Sequence, residues 1–274
     1  MVEEYTRLSI SVPSDRLPAL SGLAQQWHLR KNCDYIAGLW KDSLIKDLQW
    51  GVGLENAAPK PKEWRAPSWS WASVNGPVHY YTPSLYHYDD CSTVIDVKRA
   101  LKGSDTFGEV EAGHVLISGE LVQAELIAGK YKDIRGFKQH VRPLASANKE
   151  AQLAGQEACK ELDKWIQNGK LGDTLGYFPV FPDYELPASF RGTENIASIQ
   201  KVYCLKLSQR IDDIPLEVAP SLRKSVTIFA IVLRCLDSST QLYERIGYVR
   251  PVRLDSDIKN CLFFGHEPTS ITII

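Results

Sequence analysis

The chain has 274 residues, of which 44% are hydrophobic and 24% are charged, a composition typical of a globular protein that can bury a sizeable core. Its formal net charge is −1, and no basic stripe is present, so the sequence predicts no nucleic-acid partner. The longest apolar runs are far too short to span a bilayer, and no membrane span is expected.

The cysteine pattern indicates a reducing compartment. The N-terminal sequence lacks the basic and apolar regions of a secretory signal, and no two cysteines are closer than 26 residues. Without a C-x-x-C pair or a dense disulfide framework, six free and mostly buried thiols are expected, and the protein is predicted to be cytoplasmic. The cysteines are Cys33, Cys91, Cys159, Cys204, Cys235 and Cys261.

The first 55 residues are predicted to be largely helical. Ser14 or Asp15 can cap a first helix, and a second helix over 42–50 has an apolar side and a natural stop at Gly51. Residues 51–66 are rich in Gly, Pro and Lys and are expected to form a loop. The apolar positions that define the first helix are Leu17, Leu20, Leu23, Ala24 and Trp27.

From Pro67 the pattern changes to that of β-structure. The run Ser-Trp-Ser-Trp-Ala-Ser alternates small polar and large apolar residues, which predicts a strand with Trp69 and Trp71 on one face. Asn75-Gly76 is a strong tight-turn signal, and residues 78–81 are expected to return antiparallel to this strand.

Six further strands are predicted, and one long helix interrupts them. The strand over 226–236 is apolar on both sides, which favours a central position. The helix is expected over 147–168, and the long segment 170–198 is typical of a lid or binding loop. The six predicted strands cover residues 93–97, 115–121, 202–207, 226–236, 242–249 and 270–274.

These elements predict a single α+β domain over residues 1–274. N-terminal helices over 1–55 precede a β-rich part over 64–274, which forms a mostly antiparallel sheet or open barrel with a helical insertion.

Standard catalytic and cofactor motifs are missing. The sequence has no P-loop, dinucleotide-binding, zinc-protease or nucleophile-elbow pattern, so no cofactor, nucleotide or metal is expected. His79 and His87 lie near Asp89, Asp90 and Cys91, but a polar loop is favoured there over a metal site.

Adjacent charges in the segment YERIGY have two interpretations. Glu244 and Arg245 can form a salt-bridged strand pair or belong to a site, and the structural interpretation is favoured.

The aromatic residues after position 63 are unusually dense. Paired tryptophans on one strand face usually belong to a core, but one hairpin cannot readily bury seven rings within 25 residues. An apolar wall with a few polar groups is the general form of a small-molecule site, so Arg65 and His79 are predicted as catalytic donors. The predicted substrate-binding residues are Trp64, Trp69, Trp71, Tyr80, Tyr81 and Tyr86, and Tyr88 completes the seven rings.

The chain resembles the C-terminal region of fungal heterokaryon-incompatibility (HET) proteins. RAPSWSWASVNGPV resembles the segment just downstream of the HET domain, and EYTRLSISVPSDRLPALSGLAQQW resembles the sequence that leads into it. DYIAGLWKDSLIKDLQW is similar to the family's Ala-Gly-Leu-Trp helix, and YERIGY and SITII resemble its last strands. The family's upstream effector motifs are missing, so none of that module's catalytic residues can be assigned here.

Two functions follow from this resemblance. One is a non-catalytic accessory module of an incompatibility protein that binds a partner. The other is a cofactor-free cyclase of fungal secondary metabolism, since one HET-like protein acts as a Diels–Alder cyclase in a diterpenoid pathway.

The cyclase is the preferred prediction. Such a reaction needs an apolar cavity that holds diene and dienophile together, and a donor such as Arg65 or His79 would polarise a conjugated carbonyl. The expected partner is therefore an apolar, terpenoid-like small molecule, and the sequence predicts no oligomeric state.

Overall fold

The computed structural model describes residues 1–8, 10–53, 58–80, 87–128, 139–143, 178–187, 190, 198–213, 224–255, 263 and 266–274. The predicted helix over 147–168 lies outside these residues. Part of the predicted long loop over 170–198 is described, and it contains a strand over Phe178–Pro182.

The described residues of the N-terminal part include the helices α1 (Val2–Tyr5), α2 (Ser21–Lys31) and α3 (Leu44–Asp47). The first predicted helix begins later than expected, because Pro13 and Pro18 start separate 3₁₀ turns before α2. A proline lacks the N–H that a continuous helix would need and disfavours helical geometry in the preceding residue.

The apolar residues of the predicted first helix do not all face the core. Leu17, Leu20 and Ala24 are buried, whereas Leu23 and Trp27 are each 51% exposed. The periodicity therefore predicted the buried side of this segment correctly. It also assigned to that side two residues that are exposed.

Four short strands complete the N-terminal lobe, by which we mean the described residues up to position 80. β1 (Tyr35–Ile36) pairs with β2 (Leu39–Trp40), and β3 (Trp50–Val52) pairs with β4 (Val78–Tyr80). The second predicted helix is thus much shorter than expected, because its last part joins a two-stranded sheet.

The remaining strands form one nine-stranded sheet. Every pairing in it is antiparallel except the one between its last two strands, which confirms the predicted α+β class. The strands are β5 (Asp89–Asp90), β6 (Ser92–Leu101), β7 (Val110–Ala128), β8 (Gln139–Pro143), β9 (Phe178–Pro182), β10 (Ser198–Asp213), β11 (Lys224–Asp237), β12 (Leu242–Asp255) and β13 (Pro268–Ile273).

The strand pairings close on themselves. One edge of β7 pairs first with β6 and then with β10, while its other edge pairs with β13 and β8. Because β13 also pairs with β12, the path β7–β13–β12–β11–β10 returns to β7. β11 lies between β10 and β12, as predicted for a strand that is apolar on both sides.

The two faces of this sheet belong to separate hydrophobic clusters. Ala230 and Val232 of β11 pack into one cluster, whereas Ile231 and Leu233 pack into the other. The second cluster also contains Trp50, so the N-terminal lobe covers this face of the sheet. No helix among the described residues is long and apolar enough to cross a membrane.

Candidate functional site

The segment predicted as a tryptophan strand is a turn. Residues Trp71–Ser73 form a 3₁₀ helix, and the Ser70 hydroxyl accepts a hydrogen bond from the Ala72 N–H at 3.1 Å. The same hydroxyl donates to the Ala37 carbonyl at 2.6 Å. Serine side chains that form hydrogen bonds with nearby backbone groups compete with strand pairing. This competition explains why an alternating pattern that predicted a strand belongs to a turn.

Trp69 and Trp71 are core residues rather than the wall of an open pocket. Both side chains are 0% exposed. Trp71 donates its indole N–H to the Gly38 carbonyl at 2.8 Å and contacts the Arg16 guanidinium and the Tyr5 ring. This is a correction to the predicted substrate wall, because a fully buried ring cannot face a ligand in this conformation.

Arg65 binds the turn that contains these tryptophans. Its Nε donates to the Ala72 carbonyl at 2.6 Å, and its second guanidinium nitrogen donates to Val74. Arg16 binds the same turn through the Gly76 carbonyl at 2.9 Å, and burial, followed by the charge of Arg65, lowers the pKa of Arg16 to about 10. The backbone therefore uses the Arg65 donors that were predicted to meet a substrate.

The other predicted site residues are dispersed. Trp64 is 55% exposed, and the half-buried His79 and Tyr80 belong to β4, where they pair with Gly51 and Trp50. Burial raises the pKa of Tyr80 above its ordinary value. Tyr81 and Tyr86 lie outside the described residues. The structure does not bring the described members of this set together around one cavity wall.

Glu244 and Arg245 do not pair with each other. Arg245 is fully buried and binds Asp183, whereas Glu244 binds Lys60 and Arg234. Both residues are thus engaged in ion pairs, as the favoured structural interpretation predicted, but with different partners.

An accessible space lies elsewhere, between the segment 34–46 and strand β6. Two open clefts of about 420 Å³ each follow one another along the strand and share Lys41, and we call them together the β6 groove. One cleft is lined by Asp34, Ile36, Lys41, Val97, Lys98, Arg99 and Leu101, and the other by Lys41, Asp42, Ser43, Leu44, Ile45, Lys46, Asp90, Ser92, Thr93 and Val94.

The β6 groove follows the edge of the strand rather than one of its faces. Residues 97–99 all line one cleft, and residues 92–94 all line the other. Because successive side chains in a strand point to opposite faces, a cleft that touches three consecutive residues must run along the strand edge. β7 occupies the opposite edge, and within the described part of the chain β6 pairs with no other strand.

Among the described residues, this edge of β6 therefore has backbone groups that no other strand pairs with. In an antiparallel pair, about half of a strand's N–H and C=O groups point away from its partner. An edge strand of this kind is a template for pairing with another chain. The ladder between β6 and β7 is also irregular between Val94 and Asp96, where Ile95 is 54% exposed.

Charged side chains line both ends of the groove. Lys98 contacts Asp96 at 3.1 Å, Lys41 contacts Asp34 at 3.8 Å, and Lys31 contacts Asp42 at 2.6 Å. The members of these pairs are substantially exposed, so each pair contributes little to stability and can exchange partners readily.

Sequence reasoning predicted the strand over 93–97 but missed the site beside it. A usable signal was present, since the adjacent charged residues Lys98 and Arg99 follow directly after the predicted strand and charged residues often protect sheet edges. The position of segment 34–46 along that edge is a long-range contact that no local pattern specifies.

The described residues contain no cluster of side chains that could bind a metal ion. No group of three or more His, Cys, Asp or Glu side chains converges there, and His87 contacts Asp89 at 3.5 Å. Four described cysteines carry no disulfide: Cys33, Cys91, Cys204 and Cys235. Only Cys204 is fully buried, where burial raises its pKa to about 12. Cys159 and Cys261 lie outside the described residues.

Comparisons with protein-family models, curated proteins and solved structures found no match to this chain. The resemblance to the HET proteins therefore stays a prediction.

Proposed function

We propose that this protein is a non-catalytic binding module that holds an extended segment of a partner protein in the β6 groove. The observation that carries the proposal is the edge of β6 that no described strand occupies, which runs beside two consecutive clefts. An extended chain placed there would pair its backbone with β6 and set alternate side chains into the clefts.

The dimensions of the groove suit this mode of binding. β6 has 10 residues, longer than an average strand, and the clefts adjoin both its beginning and its end. Backbone pairing supplies affinity without depending on sequence, while the clefts supply specificity. The opposing segment 34–46 forms the second wall of the groove.

The predicted cyclase has less support. Trp69 and Trp71 are buried, Arg65 binds backbone carbonyls, and charged side chains line the β6 groove. An apolar, terpenoid-like substrate would have to desolvate these charges. The cyclase remains a prediction, and turnover of such a substrate by the purified protein would favour it over the binding module.

A cytoplasmic location is part of the proposal. The four described cysteines are unpaired, which is consistent with a reducing compartment.

A displayed library of random 12-residue peptides provides the test. We expect enriched peptides to bind the purified protein and to protect the backbone amides of β6 from hydrogen–deuterium exchange. Strand β11, which already pairs on both edges, should keep its exchange rates. Failure to enrich any peptide, or protection that maps only outside the groove, would refute the proposed function.

A matched pair of variants makes the result specific. Thr93 is exposed and lines the groove, so Thr93→Trp should obstruct peptide binding. Ser238 is exposed in the turn between β11 and β12, so Ser238→Trp adds the same bulk elsewhere and should leave binding unchanged. Equal binding by both variants would contradict the assignment of the groove.

A further inference from the structure

One end of the β6 groove has an excess of positive charge. The cleft beside residues 97–101 is lined by Lys41, Lys98 and Arg99 but by only one carboxylate, that of Asp34. The other cleft is balanced, since two lysines face two aspartates. The net charge of the residues that line the groove therefore differs between its two ends.

Arg99 is the least satisfied of these cations. Its guanidinium donates one hydrogen bond, to the Thr106 carbonyl at 3.1 Å, and its buried Nε has no hydrogen-bond partner within the described part of the chain. Asp34 attracts it but does not form an ion pair with it. Partial burial lowers the pKa of Arg99, because it disfavours the charged form, and the charge of Asp34 partly opposes this change.

Lys41 and Lys98 are also available to a partner. Their present contacts are with Asp34 and Asp96, and in both pairs the side chains are substantially exposed. Such pairs are weak, so an incoming carboxylate can replace them at little cost. A planar carboxylate would also match the fork of donors on Arg99.

An apolar floor accompanies these cations. Ile36 and Val97 are buried, and Leu101 packs against the core beside them. A strand placed along β6 alternates its side chains, so it can present acidic residues to the cations and an apolar residue to this floor.

We propose that the segment bound at this end of the groove is acidic, with Asp or Glu residues that pair with Lys41, Lys98 and Arg99 around an apolar residue. This inference rests on the proposed function, because it names the chemistry of the partner at the same site. Electrostatic complementarity of this kind chiefly sets specificity and the association rate.

The test compares two peptide selections from one random library. Peptides selected by the wild-type protein should be enriched in Asp and Glu, and their affinity should fall about tenfold or more between low and high salt because exposed charges are screened. The Lys98→Glu, Arg99→Glu variant should bind those peptides at least tenfold more weakly and should select peptides enriched in Lys and Arg instead.

Two controls keep the result interpretable. Lys62→Glu, Lys201→Glu makes the same change in net charge at exposed positions outside the clefts, and its selection should match the wild type. If the groove double variant fails to fold, Lys41→Glu reverses one exposed charge on the opposite wall and should still reduce the acidic preference.

Distinct outcomes separate the two proposals. Peptides that bind the groove without an acidic preference would overturn this inference and leave the binding module intact, whereas no selected peptide would overturn the binding module itself. Two further outcomes would also overturn the inference. One is a dimer of the protein that the double variant dissociates, since the occupant would then be a second copy. The other is a single-stranded RNA that displaces the peptides with equal affinity.

Discussion

Arg245 and Asp183 form an ion pair from which solvent is almost completely excluded. Their side chains are 0% and 1% exposed, and Arg245 Nε donates to Asp183 Oδ2 at 2.8 Å. The same guanidinium donates to the carbonyls of Leu48 and Trp50 and lies 3.6 Å from the centre of the Trp50 ring. Arg245 thus connects β12 and the segment after β9 to the N-terminal lobe.

The first prediction is that Arg245→Met destabilises the protein by about 3–5 kcal/mol. Removing one partner of a buried pair leaves the other charge without compensation. Here it also removes the donor for two buried carbonyls. The free energy of unfolding can be measured by urea denaturation.

A second substitution shows whether the buried charge is the cause. The double variant Arg245→Met, Asp183→Leu should recover part of the loss, because buried ion pairs can often be replaced by apolar residues. Lys98→Met, at an exposed position, should stay within about 0.5 kcal/mol of wild type. A small effect of Arg245→Met would contradict the structural role assigned to the pair.

The second prediction separates buried from exposed tryptophans. Trp71→Ala should cost about 3–5 kcal/mol, because it removes a fully buried ring and its indole hydrogen bond. Trp64→Ala, at a half-exposed ring, should cost less than about 1 kcal/mol. Comparable and small losses in the two variants would instead support the pocket wall predicted from the sequence.

The third prediction concerns Asp47. Burial raises its pKa to about 6 from an ordinary value of 3.8, although the Trp40 N–H donates to its carboxylate at 2.7 Å and partly opposes this change. The folded state therefore binds a proton more tightly than the unfolded state. The resulting stabilisation is complete below about pH 3.8 and is lost as the pH rises through about 6.

Asp47→Asn should remove this pH dependence. The difference in unfolding free energy between the variant and wild type should change between about pH 4 and pH 6 and be constant above that range. Asp42→Asn provides a control of opposite sign, because the hydrogen bond from Lys31 lowers the pKa of Asp42. A difference that does not vary with pH would show that Asp47 is not perturbed.

The fourth prediction tests the contact between β3 and β12. A Cβ atom at Gly51 would lie 1.9 Å from the ring of Tyr248, which is buried, so Gly51→Ala should cost about 1–3 kcal/mol through overpacking. Gly103→Ala meets nothing within 4 Å and should be nearly neutral. Thermal unfolding of the two variants gives the comparison, and equal melting temperatures would place the Tyr248 ring elsewhere.

Local sequence patterns predicted the strands well. Five of the six predicted strands fall within observed ones, in β6, β7, β10, β11 and β12, and the sixth, over 270–274, extends one residue beyond the end of β13. Alternation of apolar residues involves only a few neighbouring residues, so it can be recognised in the sequence without knowledge of the partner strand. The two-sided apolar pattern over 226–236 also predicted the central position of β11.

The same local rule was wrong for the turn around Trp69 and Trp71. Its alternation resembles that of a strand, but Arg16 and Arg65 hold the backbone carbonyls of 72–76, and Gly38 accepts the indole hydrogen bond of Trp71. Gly38 and Arg16 lie 33 and 60 residues from the groups they bind, so no window around the tryptophans could identify them, whereas Arg65 lies 7 residues from Ala72.

The sequence by itself determined the α+β class, most of the strands and the absence of the common catalytic motifs, because each of these depends on residues close together in the chain. Only the tertiary structure decided which aromatic rings are buried and which strand edge stays open. Burial and edge exposure are set by what packs against a residue, and more than 40 residues of sequence separate the segment 34–46 from β6. The β6 groove is therefore a product of long-range packing, whereas residues 93–97 of the strand that forms one of its walls were already predicted from the local sequence.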